Sequence, residues 1–191
     1  MKKLAIFCGS RTGIDPIYEQ KSREFAKLMV ENDLELVYGA GKVGLMGAIA
    51  NEVLDNNGKV YGFIPYFLSD LEVAHKGITS LTEVDTMHER KQLMANYSDG
   101  FVALPGGMGT MDELCEIITW RQLSLHQKPI GILNINGYFD KLIDLMDNFV
   151  ENGFLDAEDR KICLVSDNPQ ELIDLMKANF VEDGDEQLGK A

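Results

Sequence analysis

Short β-type runs alternate with amphipathic helical runs along most of the chain, and this alternation restricts the fold more than any other feature. Lys3–Cys8, Leu34–Tyr38, Lys59–Ile64, Gly100–Leu104 and Pro129–Leu133 read as buried parallel strands. Leu81–Val84 is a weaker candidate, and Ile162–Val165 a late one. Helical patterns fill the gaps. Ile17–Glu31 follows the Asp15-Pro16 cap, Leu45–Asn56 ends before Gly58, and Tyr138–Glu151 ends before Gly153. Met87–Tyr97 and Met111–Leu125 follow threonine caps, and Asp167-Asn168-Pro169 opens a last helix to Ala178. Repeated βα units predict an α/β fold: a doubly wound, mostly parallel, Rossmann-like sheet with helices on both faces. No repeat or linker interrupts it, so residues 1–180 are expected to form one domain. Residues 181–191 carry Glu182, Asp183, Asp185 and Glu186 and read as a solvated, disordered acidic tail.

Composition narrows the function classes. A net charge of −13 argues against nucleic-acid polymers, which need a basic footprint, but not against one phosphate held locally. No apolar run approaches the roughly 18 residues of a membrane span. The start, Met1 to Cys8, runs into Gly9-Ser10 without a cleavage site and reads as a buried strand rather than a leader. Cys8, Cys115 and Cys163 are odd in number and set in apolar contexts, which suggests reduced thiols and a cytoplasmic location. His75, His88 and His126 have no metal-ligand spacing, and His88-Glu89-Arg90-Lys91 lacks the second histidine of a zinc-protease motif, so no metal is expected.

In a doubly wound sheet, ligands sit beyond the carboxyl ends of the strands. That rule selects Gly9-Ser10-Arg11, Gly39–Gly47, Thr86–Lys91 and Pro105–Glu113. In the last of these, a buried strand runs through Gly106, Gly107 and Gly109 straight into a helix. Glycines let backbone amides approach a ligand, and a helix N-terminus adds unpaired N–H groups and partial positive charge, an anion site. The same residues also fit a capping box, Thr110-x-x-Glu113, which would merely satisfy the helix start. Gly39–Gly47 resembles a dinucleotide fingerprint only loosely, and Gly44 and Gly47 can equally serve tight packing. Gly9, Ser10, Gly41 and Gly44 remain candidate phosphate or ribose contacts.

Thr86 and Glu89 have capping-box spacing, so a helix should start there, with an apolar stripe of Met87, Leu93, Met94 and Tyr97. Arg90 falls within that stripe. An inward-facing arginine needs a carboxylate, such as Glu72 or Glu113, or a bound anion. Glu113, Glu116 and Thr119 share a face of the next helix. Leu114, Cys115, Ile117, Ile118 and Trp120 make that helix apolar nearly all round, as in a core or a subunit interface.

With these residues in view, the sequence resembles the Lonely Guy family of cytokinin riboside 5′-monophosphate phosphoribohydrolases, long misnamed lysine decarboxylases. The resemblance covers roughly Lys3 to Ala178. It rests on Phe7-Cys8-Gly9-Ser10, Val43-Gly44-Leu45-Met46-Gly47, Glu72-Val73-Ala74-His75 and Met87-His88-Glu89-Arg90-Lys91. Pro105-Gly106-Gly107-Met108-Gly109-Thr110-x-x-Glu113, Thr119-Trp120 and Gln122-Leu123 complete it. Ala40 stands where the family usually has glycine, and Asp112 replaces a frequent glutamate.

The resemblance implies catalytic roles for Arg90 and Glu113. It implies substrate contacts from Glu72, Arg90, Lys91, Gly107, Met108, Gly109, Thr110, Met111, Asp112, Glu113 and Thr119. It also implies a nucleoside 5′-monophosphate substrate, no organic cofactor, and a homodimer with active sites close to the interface. N-glycoside hydrolysis passes through an oxocarbenium-like centre, which a carboxylate can stabilise while it orients water. Glu113 is the candidate, with Arg90 on phosphate or ribose and the amides of Gly107, Gly109 and Thr110 on the 5′-phosphate. Glu72 would bind ribose or base. One alternative is a non-catalytic nucleotide or phosphorylated-cofactor carrier on the same fold, which leaves Glu113 and Arg90 without a task. A pyridoxal phosphate decarboxylase would need Lys42 or Lys91 as its Schiff-base lysine and is disfavoured by the short chain.

Overall fold

The computed structural model describes residues 1–69 and 74–181. Its strands are β1 (Lys3–Phe7), β2 (Glu35–Tyr38), β3 (Val60–Pro65), β4 (Ser80–Val84), β5 (Gly100–Ala103), β6 (Ile130–Leu133) and β7 (Cys163–Ser166). They form one seven-stranded sheet in the order β4-β3-β2-β1-β5-β6-β7, every neighbouring pair parallel. The α/β, Rossmann-like expectation holds, and each expected strand lies within a residue or so of its place.

The helices are α1 (Ile17–Glu31), α2 (Gly44–Asp55), α3 (Tyr66–Ser69), α4 (Met87–Tyr97), α5 (Met108–Gln122), α6 (Asp140–Glu151), α7 (Ala157–Arg160) and α8 (Pro169–Ala178). Period-two alternation along β1 builds both cores. Leu4, Ile6 and Cys8 pack with Phe25 and Met29 of α1, Ile49 of α2 and Leu172 of α8. Ala5 and Phe7 pack on the other face with Met94 of α4, Leu114 and Ile117 of α5 and Met146 of α6. The sequence reading missed the single-turn helices α3 and α7, whose apolar pattern is too short to have a period. It also began α6 too early, because a 3-10 turn at Ile135–Gly137 precedes it.

The start of α5 is a correction with consequences for the site. The helix begins at Met108, with Gly107 as its extended N-cap residue and no side-chain cap, so Thr110 does not cap it. The first intrahelical bond runs from Met111 N to Gly107 O at 3.1 Å. Thr110 is instead buried inside the first turn, where its hydroxyl lies against Gly106; a methyl group at Gly106 would come within 2.0 Å of Thr110 Oγ1. The Thr110-x-x-Glu113 spacing therefore does not mark the start of α5. By contrast, Thr86 does cap α4: its hydroxyl accepts from Glu89 N at 3.1 Å, while Glu89 accepts from Asp85 N at 3.0 Å.

The chain winds outward from β1 through β2, β3 and β4 on one side, and through β5, β6 and β7 on the other. The topological switch point thus lies between β1 and β5, where a crevice must open at the carboxyl ends. Gly9 N donates to Pro105 O at 3.0 Å across that gap, and Leu45 N of α2 donates to Gly9 O at 3.0 Å. Three glycine-rich turns from distant parts of the sequence are tied together at one point.

Candidate active site

A cleft of about 250 Å³ opens at this switch point, lined by Cys8, Gly9 and Ser10 after β1, Met46 of α2, Leu68 of α3, Met87 and Arg90 of α4, and Gly107, Met108, Gly109, Thr110, Asp112 and Glu113 of α5. The N–H groups of Gly107, Met108, Gly109 and Thr110 precede the first helical bond and so have no partner within the helix. The glycines here divide by purpose. Gly44 has φ +63°, and a methyl group there would lie 2.2 Å from the Ser10 backbone; at Gly47 one would meet Lys42 O at 2.0 Å. At Gly107 and Gly109 a methyl group would meet nothing within 4 Å. Neither packing nor backbone strain requires glycine at those two positions. Their bareness leaves open space above the helix N-terminus, as an anion approaching the amides needs.

Arg90 is 5% exposed. Its Nη2 donates to Gly39 O at 3.2 Å and its Nη1 faces Met87 Sδ at 3.7 Å, while its Nε has no partner among the described residues. No carboxylate among the described residues forms an ion pair with it. A guanidinium buried this far is costly without a counter-charge, by several kcal/mol on the usual scale, and among the described residues it has none, so the arrangement suits a bound anion or a polyhydroxylated ligand.

Glu113 lines the same cleft as Arg90 and also borders a void of about 10 Å³ shared with Lys91 and Glu116. Cys8 sits beneath it. Burial drives the Cys8 thiol pKa far up, and the Glu113 charge pushes it further, so Cys8 stays a neutral thiol and is no nucleophile.

The other expected contacts divide. Lys91 turns toward α5, where its Nζ holds Asp112 at 3.2 Å and Glu116 at 3.1 Å. Burial lowers its pKa, but the hydrogen bonds to Glu116 and Asp112 outweigh that and leave it raised. Met111 is half-buried against the core, and Thr119 is exposed, its hydroxyl donating to Cys115 O at 2.8 Å. Neither lines the cleft. Gly41 bridges Ala74 and Gly44 braces Ser10, both as supports for the cleft wall. Glu72 lies outside the described residues, as does the stretch 182–191 of the expected tail. Among the described residues no three His, Cys, Asp or Glu side chains gather as metal ligands.

Comparison with known proteins decides the family. Residues 46–176 match the family model described as "Possible lysine decarboxylase". Two cytokinin riboside 5′-monophosphate phosphoribohydrolases of Arabidopsis thaliana are 39% and 41% identical over 189 and 177 residues. These alignments cover 99% and 93% of this chain and 88% and 78% of the plant proteins. A probable enzyme of the same name from Oryza sativa subsp. japonica is 44% identical, covering 91% of this chain and 75% of its own.

The chain belongs to the Lonely Guy family.

Solved structures extend the likeness at the level of fold alone. The molybdenum cofactor binding protein of Rippkaea orientalis has a TM-score of 0.69 at 15% identity, over 92% of this chain and 95% of that one. The molybdenum cofactor carrier protein of Chlamydomonas reinhardtii has a TM-score of 0.70 at 15% identity, over 93% and 96%. Within the Lonely Guy frame, the sequence reading overlooked Cys8, Met46, Leu68 and Tyr138 at the crevice. Cys8 and Met46 were visible as members of the matching motifs. Leu68 and Tyr138 carried no signal beyond being apolar or aromatic.

Proposed function

We propose that this protein is a phosphoribohydrolase that cleaves the N-glycosidic bond of a cytokinin-type or adenosine 5′-monophosphate, releasing free base and ribose 5-phosphate. The observation that carries this reading is the buried guanidinium of Arg90, which has no carboxylate partner among the described residues and lines the same cleft as Glu113 and the bare Gly107 and Gly109. A phosphate on the α5 N-terminus would gain charge-assisted hydrogen bonds from those amides and the helix dipole. Ribose would then lie over Glu113, with Arg90 Nε available to a phosphate or ribose oxygen.

In the reaction, the base leaves with the C1′–N bonding pair and takes up a proton. The ribosyl centre becomes cationic, and the Glu113 carboxylate stabilises it while orienting and deprotonating the attacking water. Hydroxide adds to C1′, giving ribose 5-phosphate. Asp112 is engaged with Lys91, and Glu113 is the carboxylate we assign to the chemistry in the cleft. The plant relatives' names support the reaction class and the cytokinin-type base. We further infer a homodimer in the cytoplasm. No disulfide forms among Cys8, Cys115 and Cys163, and no helix among the described residues is long and apolar enough to cross a membrane.

The test is incubation with AMP and with N6-isopentenyladenosine 5′-monophosphate, following base and ribose 5-phosphate by chromatography. Wild type should release base. Glu113→Gln should lower kcat about 10²–10⁴-fold, the span of general acid–base contributions, while binding nucleotide within a few-fold. Binding without release by the wild type would instead establish the carrier.

A further inference from the structure

On the α1 side of the Gly9–Pro105 bridge, the crevice continues into a second pocket of about 490 Å³. Gly9, Ser10 and Gly107 line both spaces; Tyr18, Tyr138 and Gly106 line only the second. The Tyr138 hydroxyl donates to the carbonyl oxygen of Gly106, thirty-two residues earlier in the chain.

The Gly106–Gly107 peptide is the one in the loop that most needs such an anchor. Both of its flanking residues are glycine, so rotation about it is opposed by no side chain. In a planar trans peptide the C=O and N–H point in opposite directions. Holding Gly106 O toward Tyr138 therefore aims the Gly107 N–H away from Tyr138. A flipped peptide would exchange that donor for a carbonyl oxygen, which repels an anion.

The surroundings are built to deliver this hydroxyl. After β6 the chain takes two consecutive left-handed residues, Asn136 at φ 52° and Gly137 at φ 69°, immediately before Tyr138. The Asn134 side chain braces the turn, donating to Asp140 at 2.7 Å and accepting from Phe139 N at 2.7 Å. The Tyr138 ring is held edge-on by Tyr18, 5.6 Å between centroids, and by Phe139 at 5.0 Å. A left-handed turn and two aromatic supports together fix where this hydroxyl sits.

We propose that Tyr138 is a positioning residue for phosphate binding: its hydroxyl locks the Gly106–Gly107 peptide so that the Gly107 N–H joins the amides at the α5 N-terminus. This rests on the reading of that N-terminus as the 5′-phosphate site. It goes beyond that reading by assigning the loop's conformation to a residue outside the glycine motif.

The test is Tyr138→Phe in the full chain, which removes one oxygen and keeps the ring packing. Affinity for ribose 5-phosphate is measured by calorimetry, alongside kcat and KM for the nucleoside 5′-monophosphate and the melting temperature. Loss of one positioning hydrogen bond should weaken ribose 5-phosphate about five- to tenfold and raise KM in parallel, with kcat within about twofold and melting within a few degrees. Ribose 5-phosphate affinity and KM equal to wild type would overturn the proposal. So would a fall in kcat with the affinity untouched. If wild type binds ribose 5-phosphate in a Tyr138-dependent way but releases no base, the hydrolase reading fails and the role of Tyr138 stands. If wild type hydrolyses nucleotide and Tyr138→Phe binds normally, the reverse holds.

Discussion

The guanidinium of Arg90 rests directly on the backbone of Gly39, donating to its carbonyl oxygen at 3.2 Å, and a methyl group on Gly39 would come 1.7 Å from Arg90 Nη2. Gly39 directly follows β2 and Arg90 lies on α4, so the contact spans fifty-one residues and sets how deep the arginine sits. Gly39→Ala should therefore act on Arg90 by steric displacement, since the φ of Gly39 is not left-handed. Overpacking of this kind costs about 1–3 kcal/mol in stability. Displacement of the guanidinium should lower kcat/KM about 10–100-fold, and Arg90→Ala added to Gly39→Ala should lower it little further. Melting curves and steady-state kinetics check both. Wild-type kinetics in Gly39→Ala would mean that Arg90 does not need this seat to work.

One buried histidine, His75, and one half-buried, His126, should make stability depend on pH. Burial lowers the pKa of His126 below the ordinary 6.5, and the charges of Arg121 and Lys128 add to this, against a partial offset from the Ile117 carbonyl. Its Nε2 meets Ile117 O at 3.1 Å and its Nδ1 accepts from Lys128 N at 3.2 Å, so the neutral Nε2–H tautomer satisfies both. His75 repeats the pattern with Asn51 Oδ1 at 2.9 Å and Gly77 N at 3.2 Å, its pKa lowered by burial and then by Lys42. A histidine with a depressed folded pKa takes up fewer protons folded than unfolded. Its contribution is complete above the unfolded value of about 6.5 and is lost as pH falls through the folded value. Melting temperature should therefore hold above neutrality and drop as pH is lowered from about 7 to about 5. His75→Gln with His126→Gln should be less stable at pH 7 yet show a shallower drop, and an unchanged slope would remove the histidines as the cause.

The strands and most helices were legible because their apolar runs are continuous and their caps local. Thr86 with Glu89 and Asn168 with Pro169 behave as their spacing suggests. Thr110-x-x-Glu113 shows the limit of such spacing. It fits a capping box and a ligand loop equally, and the start of α5 at Met108, together with the bareness of Gly107 and Gly109, separates the two in three dimensions. Arg90 was legible as an inward arginine in an apolar stripe, but its lack of a carboxylate partner among the described residues is a tertiary fact. Lys91 illustrates the opposite case, a charge next to the site whose partners Asp112 and Glu116 come from packing α4 on α5. Ala40 has a φ of 63°, a left-handed position that alanine occupies under strain and that suits the glycine the resemblance implies there. Tyr138 was illegible because its partner lies thirty-two residues away and its ring looks like any aromatic at a helix start.

The proposed homodimer is predicted to form through α5. Only Thr110, Leu114 and Ile117 of this helix are buried within the chain, although it is apolar nearly all round. Ile118 and Trp120 remain half-exposed, while Leu123 at 65% and Leu125 at 67% are open to solvent directly after the helix end. Beside them Trp120, Leu125 and His126 face Ala95 and Asn96 of α4 across a pocket of about 550 Å³. A helix of this composition belongs in a core or an interface, and the fold assigns it only half a core. Its outer face should pair with a second copy of the chain, because monomers rarely leave such a strip exposed. The glycine loop starts the same helix, so pairing would also steady the amides that face the substrate. Sedimentation at micromolar concentration should give a dimer, and Leu123→Glu with Leu125→Glu should give monomers with hydrolysis reduced about tenfold or more. A wild-type monomer would leave the exposed face of α5 without this explanation. A monomeric variant with full activity would show instead that the site needs no second subunit.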